Sequence, residues 1–260
     1  IDEYFFEDYG SKLESMYEKE GAELHSFCYH TEITKERIDE ALVKACEAKA
    51  EVIVGIGGGK AIDTAKCVAA KMEAPLIVIP TSASTDAPTS AMAIIYNDRH
   101  EHDDVYYYIK NPDLVLVDSQ IIADAPVRFL VSGMGDALAT VFEGRTSIRT
   151  NQPNYICGES GSYMRTRTAA AIAEECYRTI REFGVRAKIA NELHVVTDAL
   201  DAYNRIGIGN ALTEAAGAMR RQVRRRLKTA WYRRGSTAAY PCARSIAGGN
   251  PRRARNGPQG

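Results

Sequence analysis

The stretch from Glu51 to Lys66, EVIVGIGGGKAIDTAK, constrains the chain more than any other. An apolar run, Val52 to Ile56, enters three consecutive glycines, Gly57 to Gly59. Lys60 follows, and Ala61, Ile62, Ala65 and Val68 then recur at helical spacing. A strand that feeds a glycine turn at a helix start forms an anion site. Glycine lets the backbone come close to a ligand, and the free N–H groups and dipole of the helix favour phosphate. The plain alternative is an ordinary strand-to-helix turn, but Gly-Gly-Gly-Lys is more than such a turn needs. The text is neither GxGxxG nor a P-loop.

A second strand, Pro75 to Pro80, follows this helix, and Thr34 to Ala50 reads as a helix capped by Thr34. Ala22 to Tyr29 reads as another short strand, and Gly10 to Gly21 has helical spacing. Strands alternating with helices predict a parallel sheet, whose ligands sit beyond the carboxyl ends of its strands. The loop after the second strand lies on that edge. It reads TSASTDAPTSAMAIIY, Thr81 to Tyr96, with six hydroxyls before Ala91 and one carboxylate, Asp86. Such residues also cap and turn, yet this many hydroxyls suits ribose, phosphate or a polyol. Strands are expected on either side of Arg99–Asp104 and over Leu114–Val117. His100 and His102 fall in that charged turn and read as a solvated hairpin tip rather than a metal pair.

Helical spacing dominates from Val127 onward, so a domain boundary is expected near residue 125. The expected division is a Rossmann-like domain over 1–125, a partial helical domain over 126–202 and a basic tail over 203–260. Asp136 stands in an apolar segment, GMGDALAT. It is either an N-cap after Gly135 or a carboxylate held by a metal.

The 260 residues are 45% hydrophobic, enough for a sizeable core. No apolar run approaches the roughly 20 residues of a membrane helix, and no signal peptide is read at the start. The six cysteines are scattered without a CxxC pair, which fits reduced thiols in a cytoplasmic protein. The net charge of −1 conceals a split: residues 203–260 carry 12 Arg, one Lys and one acid. That tail lacks a sustained apolar period. It reads as out-of-frame translation, disordered apart from a possible helix over Ala211–Thr229, or else as a basic arm for phosphates.

VIVGIGGGKAIDTAK, PTSASTDAPTSAMAIIY and NPDLVLVDSQIIADAPVRFLVSGMGDALAT together resemble the glycerol dehydrogenase branch of the iron-containing alcohol dehydrogenase superfamily. The resemblance runs from Ile1 to about Ala202. It implies an α/β fold, a Rossmann-like parallel sheet followed by an all-helical domain, with the site between them. It implies NAD-dependent oxidation of glycerol, or a related 1,2-diol, to dihydroxyacetone with one zinc. Gly58, Gly59, Lys60 and Asp63 would line the pyrophosphate, with Thr81 and Ser84 on the nicotinamide side. Ser90, Met92 and Tyr96 would complete the cofactor contacts, and Asp2 would meet the adenosine ribose. Asp86 would bind substrate hydroxyls, and Asp136 would be the first zinc ligand.

Three departures accompany the resemblance. The strand that precedes Asp2 in the family is not present. Val141 and Gly144 stand in ALATVFEG where the family has Trp and then Glu-Ala. The two histidine ligands expected after Ala202, in GLAAAHAIHNG-like and HGEKVAFG-like text, are not found. The five histidines are His25, His30, His100, His102 and His194, so the zinc site is incomplete and the chain is expected to be weakly active or inactive. Family members form homo-oligomers, which the missing segments put in doubt here. The contrasting reading is a nonenzymatic nucleotide or nucleic-acid binder that uses the glycine turn and the Arg-rich tail.

Overall fold

A computed structural model describes residues 1–200 except 31, 98, 109 and 151–166. The tail over 203–260, with its possible helix at 211–229, lies outside the described residues.

The chain begins in an extended pair, Ile1-Asp2, and continues directly into α1 (Glu3–Lys19). Asp2 caps that helix, its Oδ1 accepting from Phe5 N at 2.8 Å. Helix α2 (Lys35–Glu47) starts at Thr34, whose hydroxyl accepts from Arg37 N as expected. Strand β1 (Ile53–Gly57), helix α3 (Gly59–Met72) and strand β2 (Leu76–Pro80) form one unit of strand, helix and parallel strand. The register pairs Ile53 with Leu76 and Gly57 with Pro80. A two-residue strand, β5 (Leu114–Val115), extends the sheet in the order β1-β2-β5.

Ile1-Asp2 runs along the free edge of β1. Asp2 N donates to Ile56 O at 3.0 Å, and Tyr29 N donates to Ile1 O at 2.7 Å. The strand expected over Ala22–Tyr29 is therefore reduced to one bridge, Asp2 with Tyr29.

Strands β3 (Met92–Tyr96) and β4 (His102–Tyr107) form an antiparallel hairpin beside this layer, with an irregularity between Ile95 and Tyr96. His102 belongs to β4 rather than to the turn. Helix α3 is the hub. Its alanines let neighbours approach closely, and residues 61–69 are buried without interruption. One side packs Ile62, Ala65 and Ala69 against Leu76 and Val78 of β2. Another packs Ala61 and Cys67 against Ala93 and Ile95 of β3, with Ile33 and Ile38 closing the cluster.

After α4 (Ser119–Asp124), the described elements are helices, α5 (Val127–Thr150) and α6 (Arg167–Glu192). They meet through Ala137 and Cys176, and through Leu130, Ala187 and Ala190 against Ile122 and Ala123 of α4. Asn191 fixes the junction: its Nδ2 lies 2.9 Å from Ile122 O, 2.9 Å from Ala123 O and 3.0 Å from Ala125 O. These are carbonyls that a helix end leaves without partners. Asp136 lies well inside α5 and is not an N-cap. Cys28, Cys67 and Cys176 carry free thiols. No helix among the described residues is long and apolar enough to cross a membrane.

Candidate functional site

The site begins where β1 ends. Gly57 has φ +145, a conformation L side chains rarely adopt. A Cβ there would stand 2.5 Å from Asp2 Oδ2 and 2.9 Å from Ala61 Cβ. Gly58 is the N-cap of α3, and no side chain caps the helix. The first N–H groups of α3 thus lack both an intrahelical acceptor and a capping oxygen. That arrangement fits the phosphates of a dinucleotide, which would accept from these groups.

The hydroxyl loop covers this turn. Thr81 N donates to Gly57 O at 3.1 Å, which ties the loop to the end of β1. A Cβ on Gly58 would lie 3.8 Å from Ser82 Oγ, and one on Gly59 would lie 3.1 Å from Thr85 Cγ2. The contact at Gly58 would be an ordinary one, whereas at Gly59 a side chain would crowd the loop. Thr81 Oγ1 donates to Asp2 Oδ2 at 3.1 Å, and the hydroxyls of Ser82 and Ser84 lie 3.3 Å apart. Both carboxylate oxygens of Asp2 are thus engaged within the protein, one by Phe5 N and the other by Thr81.

Other expected cofactor residues are placed differently. The Lys60 side chain is half-exposed, and its ammonium pairs with Glu32. His100 Nδ1 lies 3.1 Å from the same Glu32 oxygen. Burial pushes the Glu32 carboxyl up, but the hydrogen bonds from Lys60 and His100 outweigh it and hold the group below its ordinary value. Asp63 is buried in α3 and faces inward. Its Oδ1 accepts from Lys66 Nζ at 2.8 Å and its Oδ2 from Ile94 N at 3.1 Å. Both oxygens are used within the framework. Ser90 is likewise buried and receives Lys66 Nζ at 3.0 Å. Met92 and Tyr96 share the half-buried face of β3. Met92 also accepts from Lys66 through its carbonyl at 2.9 Å, and Tyr96 packs against the cluster around Tyr29 and Ile33.

The far end of the loop meets the helical part. Asp86 N donates to Asp136 Oδ2 at 3.1 Å, joining the loop to α5. The two carboxylates are close neighbours. Burial, and then the negative charge of Asp136, push the Asp86 carboxyl up to about 6. Such a group exchanges protons near neutral pH and can hydrogen-bond hydroxyl groups in either state.

A zinc ion does not fit the donors present. Zinc sites that do chemistry take three protein ligands and keep one position open. Among the described residues, no three His, Cys, Asp or Glu side chains converge. Asp136 has a second carboxylate beside it but no imidazole. His194 is held elsewhere, with Nδ1 3.2 Å from Ala123 O.

Sequence reasoning missed Lys66 and Glu32. Lys66 had one signal: a lysine three residues after Asp63, on a helix otherwise buried through alanines. Glu32 had none, because it meets Lys60 only through the fold.

The chain thus has a parallel α/β layer, a glycine turn at its carboxyl edge and helices beyond. Residues 4–119 match the family model described as iron-containing alcohol dehydrogenase. Glycerol dehydrogenase of Thermotoga maritima is 49% identical over 162 residues, 62% of this chain and 43% of that protein. Glycolaldehyde reductase of Halobacterium salinarum is 39% identical over 182 residues, 70% of this chain and 48% of that protein. The crystal structure of a probable glycerol dehydrogenase from Sinorhizobium meliloti 1021 superposes with a TM-score of 0.74 at 34% identity. The superposition covers 83% of this chain and 58% of that one. The chain spans about half the length of the curated relatives it matches. These likenesses lend no support to a nonenzymatic nucleic-acid binder.

Proposed function

We propose that this chain carries the dinucleotide-binding half of an NAD-dependent polyol dehydrogenase, of the kind that oxidises glycerol or a related 1,2-diol to a ketone. The observation that carries the reading is the uncapped start of α3 under a hydroxyl-rich loop, with Asp86 and Asp136 at the loop's far end. A dinucleotide with its phosphates at Gly58 and Gly59 extends along the loop towards Asp86. The division falls near residue 125, with 1–125 holding the cofactor and the helical part closing the site.

NAD, when bound, accepts hydride from the carbinol carbon. The protein's share is position: Thr81, Ser82, Ser84 and Thr85 offer hydroxyls along the ligand, and Asp86 accepts from the substrate's hydroxyl groups. The metal half of such a site is incomplete in the described residues, so turnover of glycerol is expected to be weak or absent.

The test is binding of NADH and of ADP-ribose to the full 260-residue chain, by reduced-nicotinamide fluorescence and by calorimetry. Dissociation constants between about 1 μM and 1 mM are expected, the range usual for such ligands. Failure to bind either ligand at about 1 mM refutes the reading. Robust zinc-dependent oxidation of glycerol by this chain would refute the expectation of weak turnover.

A further inference from the structure

Lys66 is among the most buried charged groups described, with 3% of its surface exposed. An ammonium in such a place is costly unless each of its protons finds an acceptor. Here all three do. They go to Asp63 Oδ1 at 2.8 Å, Ser90 Oγ at 3.0 Å and Met92 O at 2.9 Å. The three acceptors lie on three different segments: α3, the end of the hydroxyl loop, and the first residue of β3. Asp63 adds a second link to β3 through Ile94 N.

The connection continues into the site. Ser90 Oγ lies 3.5 Å from Ala87 O, and Thr89 N donates to Asp86 O at 3.1 Å. The turn from Asp86 to Ser90 is thereby closed at one end by Lys66. At its other end, Asp86 N reaches Asp136. The glycine turn does not depend on this network. It is set by β1, by Thr81 and by the start of α3, more than one helical turn before Lys66.

We infer that Lys66 is a positioning residue of the dinucleotide site: it anchors the hydroxyl loop to α3 and so places the part of the site beyond the phosphates. The inference rests on the dinucleotide reading and assigns Lys66 a role that neither Asp63 nor Ser90 fills alone. It also explains why a buried cation sits inside an alanine-packed helix. A loop anchored by bonds to a charged donor loses that anchor when the donor is removed, while the phosphate cradle stays intact.

The distinction is measurable with two ligands. ADP-ribose needs the glycine turn, whereas NADH needs the turn and the loop. Lys66→Met combined with Asp63→Asn removes both buried charges together, so that no carboxylate is left unpaired. Ser90→Ala removes the link from Lys66 to the loop, together with the 3.5 Å contact to Ala87 O, and keeps the ion pair. For both variants NADH binding is expected to weaken about tenfold, the scale of one charged hydrogen bond. ADP-ribose binding is expected to stay within about twofold of the unaltered chain. Equal weakening of both ligands, or no weakening of NADH in the folded Ser90→Ala chain, overturns the positioning role. Failure of the unaltered chain to bind either ligand overturns the dinucleotide reading itself, and the inference falls with it.

Discussion

Gly57→Ala tests the geometry of the glycine turn directly. The new Cβ would enter at φ +145, meeting Asp2 Oδ2 at 2.5 Å and Ala61 Cβ at 2.9 Å. Forcing an L-residue into this backbone region costs about 1–3 kcal/mol. Relieving the overlap adds about 1–3 kcal/mol, as overpacking a tight site does. Asp2 is the softer neighbour, but moving it strains its bonds to Phe5 N and Thr81 Oγ1, each worth about 1 kcal/mol. The expected loss is therefore about 4 kcal/mol, the middle of that range. Gly135→Ala is the internal control. Its Cβ would meet nothing within 4 Å, and the residue lies inside α5. There alanine is favoured by about 1 kcal/mol. Urea unfolding followed by circular dichroism reads both variants, with an unchanged slope required for a valid comparison. A Gly57→Ala chain within about 1 kcal/mol of its parent refutes the crowding argument.

Three further outcomes follow from the site and its junction. The Asp86 carboxyl is raised from 3.8 to about 6, so the folded state binds this proton more tightly than the unfolded state. The resulting penalty is absent below about pH 4, grows as pH rises towards 6 and is complete above it. Allowing for partial exposure, Asp86→Asn should stabilise the chain by about 1 kcal/mol at pH 7 and flatten this pH dependence. Denaturant midpoints at several pH values check it, and a variant less stable at pH 7 contradicts it. Glu32→Gln frees the Lys60 ammonium, which should tighten ADP-ribose about two- to fivefold at low salt. Calorimetry at two salt concentrations reads this, and weaker binding would show that Lys60 does not reach phosphate. Asn191→Leu strips one donor group from three carbonyls and should cost about 2–4 kcal/mol in thermal unfolding. A loss below about 0.5 kcal/mol would show that water replaces the amide freely.

What could be read from the sequence was whatever is written locally. The glycine turn and the Thr34 cap announce themselves by residue type within a few positions, and the structure has both. The alternation of strand and helix around residues 53–80 was equally plain. What stayed hidden depends on partners far along the chain. Ala22–Tyr29 has the composition of a strand, but it meets the chain beside it through one bridge, Asp2 with Tyr29. Asp63 looked like a phosphate neighbour because it follows the glycines by one helical turn. Only the fold shows it turned inward to Lys66 and Ile94. Asp136 followed a glycine and suggested a cap, yet the helix had already run nine residues from Val127.

The clasp at Asn191 bears on the order in which the molecule can assemble. The carbonyls it holds lie 66 to 69 residues earlier, at the exit from the sheet region. During synthesis, β1, α3 and β2 are complete long before that asparagine appears, and such local units form first. Until α6 is finished, the carbonyls at the exit of α4 lack the amide that later holds them. A nascent or proteolysed chain ending before residue 191 would keep its glycine turn but lose the amide clasp at the start of its helical arm.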